Sequence, residues 1–257
     1  MPKYGYIVVE GPHDIEFVYR LLSPFRVGRV RLEADLDPFL RPLIPRNYPP
    51  DGDLQKRMTT PLFLQSDTHA IAIHSAIGDT RLVQTVEENA ALIDMAQVTG
   101  VGIILDSDKQ IPAADRYTTL KRAMQARGFS FPAAPGDVAQ GKPKLGAFVL
   151  PDNASVGTLE DILIECAQQV YPNLLQSAVG HVNLVPGDAT LVPDDVEDFK
   201  KPAGRNKAIV GTIASVLRPG KAVQVSVQDN RWLRDGTLTI SRVKAVQDFL
   251  VSLLELV

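Results

Sequence analysis

Two short stretches carry side chains that could do chemistry together. In Val8-Val9-Glu10-Gly11-Pro12-His13-Asp14, a carboxylate follows an apolar run and enters a glycine turn. In Ile103-Ile104-Leu105-Asp106-Ser107-Asp108, two aspartates stand two apart after a wholly apolar run. Residues two apart in extended chain point the same way, so Asp106 and Asp108 are expected to converge. Ligands of parallel α/β sheets bind beyond the carboxyl ends of the strands, so a carboxylate there is placed for chemistry rather than packing. Carboxylates held close repel each other unless a cation lies between them. Oxygen-only ligands suit a hard ion, magnesium or manganese. Each stretch alone has a plainer explanation, Glu10 as a turn residue and Asp108 as a helix cap. Both together, at two strand ends, favour a metal centre.

The elements that must hold these groups are legible as periodic runs. Tyr4 to Val9 reads as a strand, and His13 to Leu22 as an amphipathic helix with Ile15, Val18, Tyr19 and Leu22 on one face. Ser23 to Gln65 is broken by prolines at 24, 38, 42, 45, 49, 50 and 61, and reads as a loop or irregular insertion. It also carries Arg26, Arg29, Arg31, Arg41, Arg46, Lys56 and Arg57, which could face an anionic substrate. Ala70 to Ala76 is a second strand, and a helix is expected from about Arg81 to Val98, stopped by Gly100. Val101 to Leu105 suits a central parallel strand covered on both faces. A helix from Arg116 to Arg127, a strand from Ala147 to Leu150 and a helix from about Thr158 to Val170 follow. Strand alternating with helix predicts an α/β fold with a mostly parallel sheet flanked by helices. Leu174 to Val182, Arg205 to Leu217 and Ser241 to Val257 read as helices that pack on the sheet, and Pro186 to Pro202 as an acidic loop.

The 257 residues are 45% hydrophobic and 22% charged, with a net charge of −3. That balance excludes a broadly basic nucleic-acid coat but leaves room for a local basic groove beside an acidic site. Cys166 is the one cysteine, so an internal disulfide and a cysteine-cluster zinc site are excluded. No apolar run approaches the roughly 20 residues needed to cross a bilayer, and no signal peptide is visible. The chain is expected to be soluble and cytoplasmic, with no membrane partner.

The strand-Glu-Gly at Tyr6 to Asp14 and the strand-Asp-x-Asp at Val101 to Asp108 resemble the TOPRIM domain. That domain is shared by topoisomerases, bacterial primases, the OLD nucleases, a recombination mediator and a ribosomal-RNA maturation nuclease. A third segment, Val149-Leu150-Pro151-Asp152-Asn153 with Gly157-Thr158-Leu159-Glu160-Asp161, is similar to a small group of stand-alone TOPRIM-like proteins. The resemblance implies a TOPRIM-like, Rossmann-like α/β domain over residues 1–170, with a four-stranded mostly parallel sheet and a proline- and arginine-rich insertion at about 23–65. Residues 171–257 would be a helical extension packed on the same domain. It implies acid–base or metal work for Glu10, magnesium or manganese binding by Asp106 and Asp108, help at a second ion from Glu160 and Asp161, and a lysine near the metals, for which Lys207 is the candidate. Plainer readings stand beside these: first-turn acidity is favoured by the helix dipole, which also accounts for Asp14 and Glu16, and a surface lysine needs no explanation.

The implied activity is metal-dependent phosphodiester hydrolysis of DNA or RNA, with Lys142, Lys144 and Lys207 helping to steer the backbone. A separate ATPase and a second copy of the chain are candidate partners. There is no Walker-type phosphate loop and no tyrosine that stands out as a topoisomerase nucleophile. His13, His69, His74 and His181 make no metal pattern, and Trp232 suits the core better than a stacked base. One rival is a non-catalytic nucleic-acid-binding or assembly module. The other is a haloacid-dehalogenase-type phosphatase, against which stand the late position of Asp106 and the Lys109-Gln110 that follows Asp108.

Overall fold

In a computed structural model, which describes residues 2–49, 52–55 and 59–257, the apolar runs become strands buried on both faces. The first half of the chain forms β1 (Lys3–Val9), α1 (Pro12–Leu22), β2 (Gly28–Arg29), β3 (Leu62–Gln65), β4 (His69–Ser75), α2 (Leu82–Ala90), β5 (Val98–Asp106) and α3 (Ala113–Gln125). The second half forms β6 (Val138–Ala139), β7 (Lys144–Leu150), α4 (Leu159–Val170), α5 (Pro172–Val182), α6 (Glu197–Lys200), α7 (Gly204–Leu217), α8 (Val223–Asp229) and α9 (Ser241–Leu254). Among the described residues the sheet has seven strands, in the order β2-β3-β4-β1-β5-β7-β6, rather than the four expected. β4, β1, β5 and β7 are parallel neighbours at its centre, while β2, β3 and β6 add antiparallel at the edges. The extra strands were hidden for local reasons. β3 lies directly behind Pro61, and β2 and β6 are two residues each, too short to show a period.

Alternation along each strand divides the interior in two. Ile7, Val9, Ile71, Ile73, Ile104 and Phe148 face one core, closed by α1, α4, α5, α7, α8 and α9. Tyr6, Val8, Ala72, Ile103, Leu105 and Val149 face the other, under α2 and α3. The C-terminal helices therefore complete the first core. Trp232 is fully buried there, and its indole N–H donates to Ser226 Oγ at 2.9 Å.

α9 explains a misread glycine. Gly100 does not stop a helix. α2 ends at Ala90, and Gly100 lies inside β5. A Cβ on Gly100 would stand 2.3 Å from the Leu253 carbonyl oxygen, and one on Gly102 would stand 2.5 Å from the Leu253 side chain. The glycines let α9 lie directly on the strand. The acidic stretch 186–202 likewise contains a short helix, α6, where a loop was expected. Among the described residues, no helix is long and apolar enough to cross a membrane.

Topology then marks one crevice. The helix after β1 covers one face of the sheet and the helix after β5 covers the other. β1 and β5 are adjacent, with Val9 paired to Ile104. The chain leaving β1 runs to β3 and β4 on one side and the chain leaving β5 runs to β7 on the other, so the strand order reverses between them and a crevice opens beyond their carboxyl ends, where ligands of open α/β sheets bind. Glu10 and Asp106 stand at its lip.

Candidate metal centre

Glu10 is held from several sides. Its backbone carbonyl accepts the Gly78 N–H at 3.0 Å and the Ser75 hydroxyl at 3.3 Å, so the end of β4 fixes the residue. Its Oε1 accepts the Asp106 N–H at 3.0 Å and lies 3.4 Å from the Arg116 guanidinium. Asp106 continues the chain of contacts, with Oδ1 accepting the Leu159 N–H in the first turn of α4 at 2.9 Å. The middle residue, Ser107, is fully buried and acts as a tie: its N–H donates to the Leu150 carbonyl, and its Oγ accepts the Gly157 N–H at 2.8 Å. Asp108 departs from the expected extended geometry. Its φ is 64°, and its carbonyl accepts the Gly157 N–H at 3.1 Å. The strand ends at Asp106, so alternation alone does not orient Asp108. Left-handed backbone is tolerated by aspartate better than by most residues.

The electrostatics are those of crowded carboxylates in a poorly solvated place. Burial pushes Glu10 up to about 7, with Arg116 and the Asp106 N–H opposing and the charges of Asp108 and Asp79 adding to the rise. Burial pushes Asp14 up to about 7 as well, helped by Glu10 and opposed by the Gly11 N–H, which donates to its Oδ2 at 2.8 Å. Asp106 is raised well above the ordinary range, first by burial and then by Asp14, Glu10 and Glu160. His13 is held below its usual value by burial; the Glu160 carboxylate opposes this and the Lys207 ammonium adds to it. Lys207 of α7 and Glu160 of α4 are thus within electrostatic reach of His13, in the first turn of α1.

The structure brings the sequence-derived candidates to one end of the sheet but in different states. Glu160 is buried, with Oε2 accepting the Thr158 hydroxyl at 2.7 Å. Asp161 caps α4 through the Thr158 N–H at 2.9 Å, while its other oxygen meets Asn206 Nδ2 at 2.8 Å and Lys109 Nζ at 3.5 Å. Lys207 is exposed. Among the described residues, no three acidic, histidine or cysteine groups close on a common point. The donor chemistry nonetheless suits a hard divalent cation: all are oxygens, raised first by burial and then by neighbouring carboxylates, and a cation offsets both. Glu10 Oε2, Asp106 Oδ2 and both Asp108 carboxylate oxygens accept no hydrogen bond from described residues, which leaves them free for such an ion.

Arg116 escaped the sequence reading. It is the fourth residue of α3, where a cation opposes the helix dipole, and that mismatch was the available signal. Asn206, buried against Asp161, carries no signal in its local sequence. Two basic candidates of the insertion are paired away from the carboxylates. Arg29 pairs with Glu16 and stacks on Tyr19, Arg46 pairs with Glu33, and Lys56 and Arg57 lie outside the described residues. Lys144 pairs with Glu255 at 2.9 Å. His69 and His74 are tied to Leu254 and to Tyr6. A surface groove of about 750 Å³ opens beside the carboxylates between α4, α5 and α7, lined by Lys109, Asp161, Gln168, Gln176, Arg205 and Asn206 among others.

Fold and strand-end carboxylates together define a mixed α/β protein with an acidic crevice at the switch point of its sheet. The family model described as protein of unknown function (DUF3226) matches residues 4–255, and the chain belongs to that family. Its fold is similar to that of the crystal structure of hypothetical protein PH0156 from Pyrococcus horikoshii OT3. That likeness covers 99% of this chain and 96% of that one, at 15% identity and a TM-score of 0.51. No curated protein matches.

Proposed function

We propose that the chain is a magnesium- or manganese-dependent nuclease of TOPRIM type, hydrolysing phosphodiester bonds in DNA or RNA. One observation carries the reading: Glu10 and the Asp106–Asp108 pair end two adjacent parallel strands at the switch crevice, joined by the Asp106 N–H bond to Glu10. The central order β4-β1-β5-β7 supports a TOPRIM-like core, with β2, β3 and β6 as additions. Asp106, Asp108 and Glu10 would hold the cation, with Glu160 and Asp161 as the candidates for a second. A bound cation supplies Lewis-acid polarisation of the phosphoryl oxygens. If the two aspartates hold the cation without it, Glu10 would instead serve as the general base that takes a proton from the attacking water. His13 and Lys207, within electrostatic reach of each other, would stabilise charge developing on the phosphate. The groove from Lys109 and Asp161 to Arg205 offers a strand a path away from the centre. The cell compartment of this reading is the cytoplasm, and a separate ATPase or a second copy of the chain would join as partners.

The test is incubation of purified protein with single- and double-stranded DNA and RNA in manganese, with Asp106→Ala as control. Cleavage that needs the metal and vanishes in the variant supports the proposal. Intact substrates throughout, with full nucleic-acid binding in EDTA, would replace it by the non-catalytic module.

A further inference from the structure

Arg116 is bonded to three strand exits at once. Its Nε donates to the Asp106 carbonyl at 3.2 Å, at the end of β5. One terminal nitrogen donates to Asp79 Oδ2 at 2.9 Å, beyond β4, and lies 3.4 Å from Glu10 Oε1, beyond β1. These contacts differ in kind. The bond to the Asp106 carbonyl is a backbone anchor. Asp79 is a surface partner, its side chain 42% exposed, and Glu10 Oε1 is shared with the Asp106 N–H. The second terminal nitrogen has no hydrogen bond to a described residue. The guanidinium is therefore anchored through Nε, paired at the surface with Asp79, and unbonded to described residues at its second terminal nitrogen, beside the carboxylate proposed to receive a cation. A guanidinium and a divalent ion on one carboxylate repel each other. A guanidinium edge released from carboxylates is the side-chain group best matched to two phosphate oxygens.

Resting on the metal reading of Glu10, Asp106 and Asp108, we propose that Arg116 is the substrate-phosphate ligand of this site. Without a cation it is parked on Glu10 and Asp79. When Glu10 is taken by the cation, the free edge turns to the scissile phosphodiester while Nε keeps its hold on the Asp106 carbonyl. Arg116 thus opposes cation binding and favours substrate binding, a pair of opposite effects that a merely structural clamp does not have.

The experiment measures two affinities on Arg116→Ala and Arg116→Gln, each checked for folding by circular dichroism. Arg116→Gln retains a donor for the Asp106 carbonyl if the alanine variant does not fold. Manganese affinity is read by titration calorimetry at pH 8.5, and affinity for a short single-stranded oligonucleotide is read by fluorescence anisotropy in calcium. The expected result is manganese bound about three- to tenfold more tightly and oligonucleotide at least tenfold more weakly, with Arg116→Lys intermediate on the oligonucleotide. Manganese affinity that is unchanged or lower in both variants overturns the proposal. So does an unchanged oligonucleotide affinity. If wild-type protein and Asp106→Asn alike bind no manganese, the metal reading itself fails; wild-type binding that Arg116 variants do not move sinks only the role of Arg116.

Discussion

β1 and β5 are built differently at their two ends. In their interior they carry Gly5, Gly100 and Gly102, where an added Cβ would stand within 2.5 Å of α9 atoms. At and just past their carboxyl ends the same strands carry Asp106 and Glu10, both raised by burial and by neighbouring carboxylates. One region removes side chains so that a helix can seat on backbone, and the other crowds like charges where nothing fully neutralises them. The contrast teaches how the second is tolerated. Residues packed without slack hold the strand ends in register, and repelling carboxylates persist only where surrounding structure over-determines their positions.

The comparison breaks first at its charged end. Asp106→Ala should lower metal-dependent cleavage at least about 100-fold, while leaving the melting temperature unchanged or higher, because a buried repelling charge is removed. Parallel assays of turnover and thermal unfolding check both halves, and a large loss of stability would mean that Asp106 is structural. Gly100→Ala should act in the opposite sense. Forcing Cβ onto the Leu253 carbonyl should cost about 2–3 kcal/mol of unfolding free energy by overpacking, measurable by denaturant titration. Residual folded protein should still bind cation.

A pH series sharpens the account. Glu10 and Asp14 have ordinary values of 4.5 and 3.8 and stand at about 7 in the folded chain. The folded state then binds more protons than the unfolded state between those limits. The stability this supplies is complete below about pH 4 and is lost as pH rises through about 7. The metal-free protein should lose on the order of 1–3 kcal/mol between pH 5 and pH 8, and manganese at pH 8 should restore part of it. A stability flat across that window would show that burial and neighbouring charge do not raise these carboxylates as described. Lys207→Ala should have the smallest effect: stability within about 0.5 kcal/mol for an exposed side chain, and turnover reduced several-fold in a steady-state assay.

What was legible in the sequence follows the same divide. Glu10 and the Asp106–Asp108 pair stood out because an apolar, β-branched run ends abruptly in carboxylates, a break that needs no long-range information. The parallel centre of the sheet was legible for the same reason. Gly100 was misread because a glycine after a helical pattern looks locally like a stop, whereas its cause is Leu253, over 150 residues away. The conformation of Asp108 was equally out of reach, since it is set by a bridge to Gly157. β3 was masked by the prolines before it. Arg116 betrayed itself only by sitting on the wrong end of a helix, a weak signal until Glu10, Asp79 and Asp106 are seen around it.

The central claim is that Glu10, Asp106 and Asp108 together bind a divalent cation. Its most direct test is anomalous diffraction from crystals soaked in manganese. The account predicts a peak about 2.2 Å from carboxylate oxygens of Glu10 and of at least one of the two aspartates, lost in Asp106→Asn crystals. A soak that orders manganese elsewhere, or nowhere, with the three carboxylates unchanged would contradict it.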